Sequence, residues 1–257
     1  MASIQSSGFS CARDRLTIRG HVFGETDQGR PAVIISHGFL GNEKTVFDYA
    51  AFLAAHGYQV VTFDFNGGGP ESQSDGRTVD MTVMTEKADL HAVIRAVRAE
   101  LAPASVSLMG CSQGGFVSAM AAKEDGDIRS LSLFYPALCI PDDARRGQMM
   151  FYRFDPRNVP DVLGEVPMAL GGEYARSVMA LDPFEAIRGY DGPTLLLHGT
   201  ADDIVDVSYA RRARQVYAQC EYHELDGAGH GFSGEYEAAA QAFLLDFLDR
   251  HATEERG

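Results

Sequence analysis

Two side chains able to attack a carbonyl stand next to each other in Leu108–Met120, L-M-G-C-S-Q-G-G-F-V-S-A-M: the thiol of Cys111 and the hydroxyl of Ser112. The stretch follows an apolar run and leads into a helical pattern over Gly115–Lys123, so the pair falls at a strand-to-helix turn. G-x-S-x-G at Gly110–Gly114 in that setting is the pattern of a nucleophile elbow, a strained turn that presents a serine hydroxyl. The residues two before and two after the nucleophile crowd such a turn and must be very small. Centred on Ser112 they are Gly110 and Gly114; centred on Cys111 they would be Met109 and Gln113, which clash. Ser112 is therefore the expected nucleophile, with the Cys111 side chain pointing elsewhere. A motif this short also arises by chance, so the rest of the chain has to supply its partners.

A serine hydroxyl needs a base, normally a histidine held by a carboxylate. Leu195–Asp206, L-L-L-H-G-T-A-D-D-I-V-D, runs from a buried strand into a turn that offers Asp202, Asp203 and Asp206. Asp202 stands first in the turn and is the preferred acid; Asp203 and Asp206 remain alternatives, either able to cap the following helix. A last strand, Glu221–Leu225, is followed by D-G-A-G-H-G-F around His230, whose flanking glycines let the loop carry the imidazole over the serine. The other seven of the eight histidines have plainer settings. His56 and His91 lie in helical patterns, His251 in the tail, His21 and His223 along strands, and His37 and His198 before glycine at strand ends. Acyl transfer also needs N–H donors for the oxyanion. Position alone nominates the amide of Gln113, directly after the nucleophile, and that of Phe39 in H-G-F-L-G-N, the loop after strand Ala32–Ser36.

That loop also imitates a phosphate loop at Gly38–Thr45, but Glu43 occupies the place before Lys44 where glycine is required, which argues against a nucleotide. Gly67-Gly68-Gly69-Pro70 opens no helix and reads as a turn. No H-E-x-x-H or calcium-loop pattern is present, and Cys11, Cys111, Cys139 and Cys220 are scattered without C-x-x-C spacing. The chemistry needs no cofactor and no metal, and the thiols read as free cysteines in a reducing compartment.

These residues must be held by a scaffold. The chain has 257 residues, 45% hydrophobic and 23% charged, which suits a globular protein. Its formal net charge of −14 disfavours nucleic acid and anionic membrane surfaces. Ala32–Ser36, Val60–Phe65, Val106–Met109, Leu131–Phe134 and Thr194–Leu197 are compact apolar runs suited to buried parallel strands, and Leu16–Phe23 alternates as a half-exposed strand. Leu90, Ile94, Val97 and Leu101 share a helix face, as do Phe243, Leu244, Phe247 and Leu248. The alternation predicts a mostly parallel sheet covered by helices on both faces, in a single α/β domain over residues 1–257. Residues 137–181, with Pro141, Pro156, Pro160 and Pro167 and many Met and aromatic residues, break the rhythm. They are expected to form a small cap insertion over the carboxyl ends of the strands. The N-terminus lacks the apolar core of a signal peptide, so a cytoplasmic protein is expected, although a chain stripped of its leader would read the same.

The sequence resembles the bacterial feruloyl (cinnamoyl) esterases of the α/β-hydrolase superfamily over nearly its whole length. The shared stretches are H-G-F-L-G-N at 37–42, F-D-F-N-G at 63–67, S-D-G-R-T-V-D-M-T-V at 74–83, G-C-S-Q-G-G at 110–115, L-G-G-E-Y-A-R at 170–176 and G-A-G-H-G-F-S at 227–233. The resemblance implies an α/β-hydrolase fold, a Ser112–Asp202–His230 triad, and an oxyanion hole from the Phe39 and Gln113 amides. It also implies that polar cap residues bond the ring hydroxyls of an aromatic acyl group. Asp143 matches one such place. The partner glutamine is not cleanly matched, since Gln148 is nearby but Met150 falls at its position. Cys111 replaces the family's usual histidine, and N-G-G-G-P-E-S-Q-S-D-G is longer than its counterpart; both bear on acyl preference. Met149, Met150, Phe151, Tyr152 and Phe154 could line an aromatic slot or serve as packing.

The expected activity is that of a serine carboxylesterase acting through an acyl-enzyme on hydroxycinnamate and related small aryl or short-acyl esters. The alternatives are a general short-chain esterase or peptidase on the same fold, or a binding protein that kept the fold and lost catalysis. The expected partner is a small-molecule ester, with no nucleic acid and no membrane; a homodimer is left open.

Overall fold

In the computed structural model, which describes residues 6–26, 28–165 and 168–252, a single sheet of eight strands forms the centre of the molecule. Pro167 and the first five residues lie outside the described residues. The strands are β1 (Ser6–Arg13), β2 (Leu16–Phe23), β3 (Ala32–Ser36), β4 (Gln59–Phe63), β5 (Val106–Cys111) and β6 (Ile128–Phe134). Four two-residue strands follow outside the main sheet: β7 (Gln148–Met149), β8 (Tyr152–Arg153), β9 (Val162–Leu163) and β10 (Leu170–Gly171). β11 (Thr194–Gly199) and β12 (Cys220–Leu225) complete it. The order across the sheet is β1-β2-β4-β3-β5-β6-β11-β12. From β4 to β12 neighbours run parallel, while β2 is antiparallel to both β1 and β4.

Helices α1 (Phe47–Ala55), α2 (Val83–Leu101), α3 (Gln113–Glu124) and α8 (Glu235–His251) cover the sheet. Shorter helices α4 (Ile140–Arg145), α5 (Gly172–Val178), α6 (Pro183–Ile187) and α7 (Ser208–Ala213) lie between β6 and β12 in the chain. Period-two alternation divides the strand side chains between two cores. Ile34, Val61, Leu108, Leu133 and Leu196 face the core built with α2 and α3. Val33, Ile35, Val60, Met109 and Leu197 face the one built with α1 and α8. A fully buried side chain of this kind is worth about 1.5–3 kcal/mol, so a strand buried on both faces makes a rigid mount for whatever sits at its end. Each parallel strand points its carboxyl end the same way, and β3, β5, β6, β11 and β12 all run into loops at that edge.

β5 and β11 run two residues further than their apolar runs, and β6 starts three residues earlier, at Ile128. β4 ends at Phe63 rather than Phe65, because the Asp64 carboxylate draws the chain aside by accepting from the amides of Glu43 at 2.7 Å and Gln73 at 2.5 Å. β1 has no apolar pattern, since it is an edge strand paired only with β2; Phe9 is its one buried residue.

Residues 137–181 contain α4, the β7–β8 hairpin, the β9–β10 ladder and α5. Tyr152 Oη donates to the Met168 carbonyl at 2.6 Å within the segment, and Thr78 Oγ1 donates to the Ala169 carbonyl at 2.6 Å from outside it.

Candidate active site

The turn after β5 is built around Ser112, whose φ of 54° and ψ of −120° lie in a region that few residues with a Cβ adopt. The strain is held by four backbone contacts. Ser112 N–H donates to Phe134 O at 2.9 Å, and Ser112 O accepts from Gly115, Phe116 and Ala137 N–H at 3.0, 3.2 and 2.9 Å. The two flanking glycines are required by packing. A Cβ on Gly110 would stand 2.3 Å from Gly114 O, and one on Gly114 would stand 2.3 Å from His37 O. Cys111, the last residue of β5, is buried in the core shared with α1 and α8. Burial, opposed only weakly by the hydroxyl of Tyr135, pushes its thiol up to about 12. The thiolate is thus scarce at neutral pH, and the side chain belongs to the core.

The other two chemically capable residues arrive from loops after β11 and β12. His230 Nε2 lies 2.9 Å from Ser112 Oγ, and its Nδ1 lies 2.8 Å from Asp202 Oδ2. With Asp202 ionised, Nδ1 carries the proton and donates to the carboxylate, which leaves the Nε2 lone pair to accept the Ser112 O–H. Asp202 has a fully buried side chain. Burial opposes its ionisation, but hydrogen bonds from His198, His230 and the Val205 amide outweigh that cost and hold its carboxyl well below the usual range. Its Oδ1 accepts from the amides of Ile204 at 2.9 Å and Val205 at 2.8 Å. Of the neighbouring acids, Asp206 instead accepts from Ser208 N–H at 2.8 Å at the start of α7, and Asp203 is exposed at the cavity wall. Tyr135 packs edge-on against the His230 ring, with centroids 4.8 Å apart.

Phe39 and Gln113 line the same cavity as Ser112. Gln113 opens α3, where the first N–H groups have no intrahelical acceptor. The loop bearing Phe39 is fixed by His37. That buried ring donates from Nδ1 to Gly38 O at 2.8 Å and accepts the Phe65 N–H on Nε2 at 3.2 Å. Burial lowers the pKa of His37, which favours this neutral, two-way arrangement. The Gln113 side chain is held as well. Its Nε2 donates to Glu86 Oε2 at 2.6 Å, and its Oε1 accepts the Tyr174 hydroxyl. Glu43, the residue at odds with a phosphate loop, is buried and accepts from His21 Nδ1 and Thr62 Oγ1, both at 2.7 Å.

Ser112 opens into a cavity of about 680 Å³ of empty space, its open mouth included. Asp143 and Gln148 both line it. The Asp143 carboxylate is paired with Arg146, and Gln148 Nε2 donates to Met150 O at 3.4 Å. Met149, Met150 and Phe151 line it too, whereas Tyr152 and Phe154 pack against the core. Tyr174, Ile140, Ile204 and Val205 complete much of the wall. Sequence reasoning did not single these out, because no spacing links α4, α5 and the turn after β11. No group of three His, Cys, Asp or Glu is placed to hold a metal ion among the described residues. Nor is any described helix long and apolar enough to cross a membrane.

Hydroxyl, imidazole and carboxylate in this order can generate an alkoxide-like nucleophile. The chain is similar to several solved structures. A structure of Est1E from Butyrivibrio proteoclasticus with ferulic acid bound is 25% identical, with 94% of this chain and 99% of that one covered and a TM-score of 0.84. Two others share the fold: the α/β-hydrolase GrgF from a Penicillium species (20% identity, 96% and 99% covered, TM-score 0.79) and the Pyrococcus furiosus esterase Pf2001 (19%, 97% and 93%, 0.74). The family model for serine aminopeptidase, S33, matches residues 27–168, more than half of the sequence. The chain belongs to this serine aminopeptidase S33 family of hydrolases and has the α/β-hydrolase fold.

Proposed function

We propose that the protein is a serine carboxylesterase whose substrates are hydroxycinnamate esters and related small aryl or short-acyl esters. The observation that carries this reading is the unbroken relay from Asp202 through His230 to Ser112, at 2.8 and 2.9 Å. Ser112 attacks the ester carbonyl while His230 Nε2 takes its proton. Asp202 keeps the imidazole in the right tautomer and stabilises its charge, and the Phe39 and Gln113 amides bind the oxyanion. His230 then gives the proton to the departing alcohol. A water, deprotonated by the same imidazole, releases the acid. A binding protein would have no use for all three groups in this register.

The acyl preference rests on the ferulic acid complex of Est1E and on the cavity wall, where Asp143 and Gln148 offer polar atoms beside Met149, Met150 and Phe151. The family model's description favours a second reading, a peptidase acting at amino termini. Kinetics on methyl ferulate, p-nitrophenyl butyrate and an aminoacyl anilide separate the possibilities. The proposal expects the highest kcat/KM on methyl ferulate once leaving-group reactivity is allowed for. Preference for the anilide would give the site to peptide hydrolysis.

A further inference from the structure

We propose that His198 is a positioning residue for Asp202, and through it for His230; this rests on the esterase reading above. His198 lies near the end of β11 and its side chain is fully buried. Its Nε2 stands 2.8 Å from the Val205 carbonyl and 3.2 Å from Asp202 Oδ2. Nδ1 has no hydrogen-bond partner among the described residues. A proton on Nδ1 would be a buried donor with no acceptor, whereas Nε2 faces two acceptors, so the ring proton sits on Nε2.

Both oxygens of Asp202 are thereby committed. Oδ1 is held by the Ile204 and Val205 amides, and Oδ2 lies between His230 Nδ1 and His198 Nε2. Val205 closes a ring in this arrangement, because its N–H donates to Asp202 and its C=O accepts from His198. The carboxylate can neither rotate nor swing away without breaking bonds to its own turn. The electrostatic consequence is separate from the mechanical one. His198 takes a share of the charge on Oδ2 that otherwise serves His230 alone, so it moderates how strongly Asp202 favours the imidazolium. The other titratable groups around the pair are Tyr135, which packs on His230 and senses Asp202, and Asp206, which senses His198. Among the described residues, His198 is not one of those that line the cavity.

The test uses His198→Leu, which deletes the donor, and His198→Gln, which keeps an N–H. It measures kcat and KM on p-nitrophenyl acetate across about pH 5–8, where imidazoles titrate. Thermal unfolding serves as the control for folding, and the low-field proton resonance of His230 Nδ1–H as a direct probe. Losing a hydrogen bond to a charged group corresponds to roughly a 10- to 100-fold fall in kcat for His198→Leu. KM stays within about twofold if the residue acts only through Asp202. The acid limb of the profile moves to higher pH, the low-field resonance shifts, and His198→Gln returns most of each. A folded His198→Leu with wild-type kcat and acid limb overturns the inference. So does equal loss in both variants with the limb and the resonance unmoved, since that marks a merely structural residue. If His198→Leu does not fold, His198→Gln decides: a near-native limb and resonance support the role, and their loss overturns it. Wild-type protein without ester turnover would instead sink the esterase reading, which an active enzyme indifferent to His198 leaves standing.

Discussion

At Ser112 and Cys111, a shift of one position separates a hydroxyl 2.9 Å from an imidazole from a thiol sealed in the core. Ser112→Ala is expected to lower kcat on p-nitrophenyl acetate by about 10⁶-fold, to the residue left by binding and the oxyanion donors. Cys111→Ala is expected to keep most activity and to lose some stability through the small cavity it leaves. Steady-state kinetics beside thermal unfolding check both. Asp202→Asn keeps the shape but offers an N–H or a weaker acceptor to His230 Nδ1, which favours the wrong tautomer. A drop of about 10⁴ in kcat with little change in KM is expected. The meeting of these three side chains was legible in the sequence because each residue has a local signature: glycines at the two crowding positions around Ser112, the first place in a strand-end turn for Asp202, and paired glycines around His230. His37, Tyr135, Tyr174 and His198 were not legible. For His37, Tyr135 and Tyr174 the meaning lies in partners brought in by other elements, as when the Tyr174 hydroxyl reaches Gln113 across 61 positions; His198 bonds within the turn after its own strand, which no spacing marks.

At the scale of elements, the elbow depends on how closely α3 enters the space beside β3. Gly114 lies against the carbonyls of Ser36 and His37, where an added Cβ would stand 2.4 and 2.3 Å away. Backbone on both sides cannot give, so Gly114→Ala is expected to push α3 outward, lower the melting temperature and abolish activity together. Near-native melting with full activity, measured by calorimetry and ester turnover, would show that the packing is looser than this. The buried strands β3, β5 and β11 were legible because continuous apolar runs suit two-sided burial. β1 was not, because S-S-G-F-S-C-A-R pairs along one edge only and owes its conformation to β2. The segment 137–181 was legible as a break in rhythm. Its ladders of two residues are too short to carry a period, so which of its side chains reach the cavity could not be read in advance.

At the scale of the whole molecule, an unusual cost sits beside Gln113. Glu86 on α2 is 1% exposed, and burial, opposed by the hydrogen bond from Gln113 and reinforced by nearby Asp89, raises its carboxyl well above the usual range. The folded state therefore prefers Glu86 protonated. That contribution to stability is fully present below the unfolded glutamate value and is lost as pH rises through the folded one. Glu86→Gln keeps an acceptor for Gln113 and cannot ionise. Its stability relative to wild type is expected to improve as pH rises above the unfolded glutamate value, as followed by melting temperature against pH. A constant offset between the two curves would mean that Glu86 ionises in the fold without penalty.

The most direct test of the central claim, that Ser112 is the activated nucleophile, is the intact mass and peptide map of the protein after treatment with a fluorophosphonate probe. The account predicts stoichiometric addition of one adduct, located on Ser112, at a rate that collapses in His230→Ala. An unlabelled wild-type protein, or an adduct on Cys111 or another residue, would contradict it.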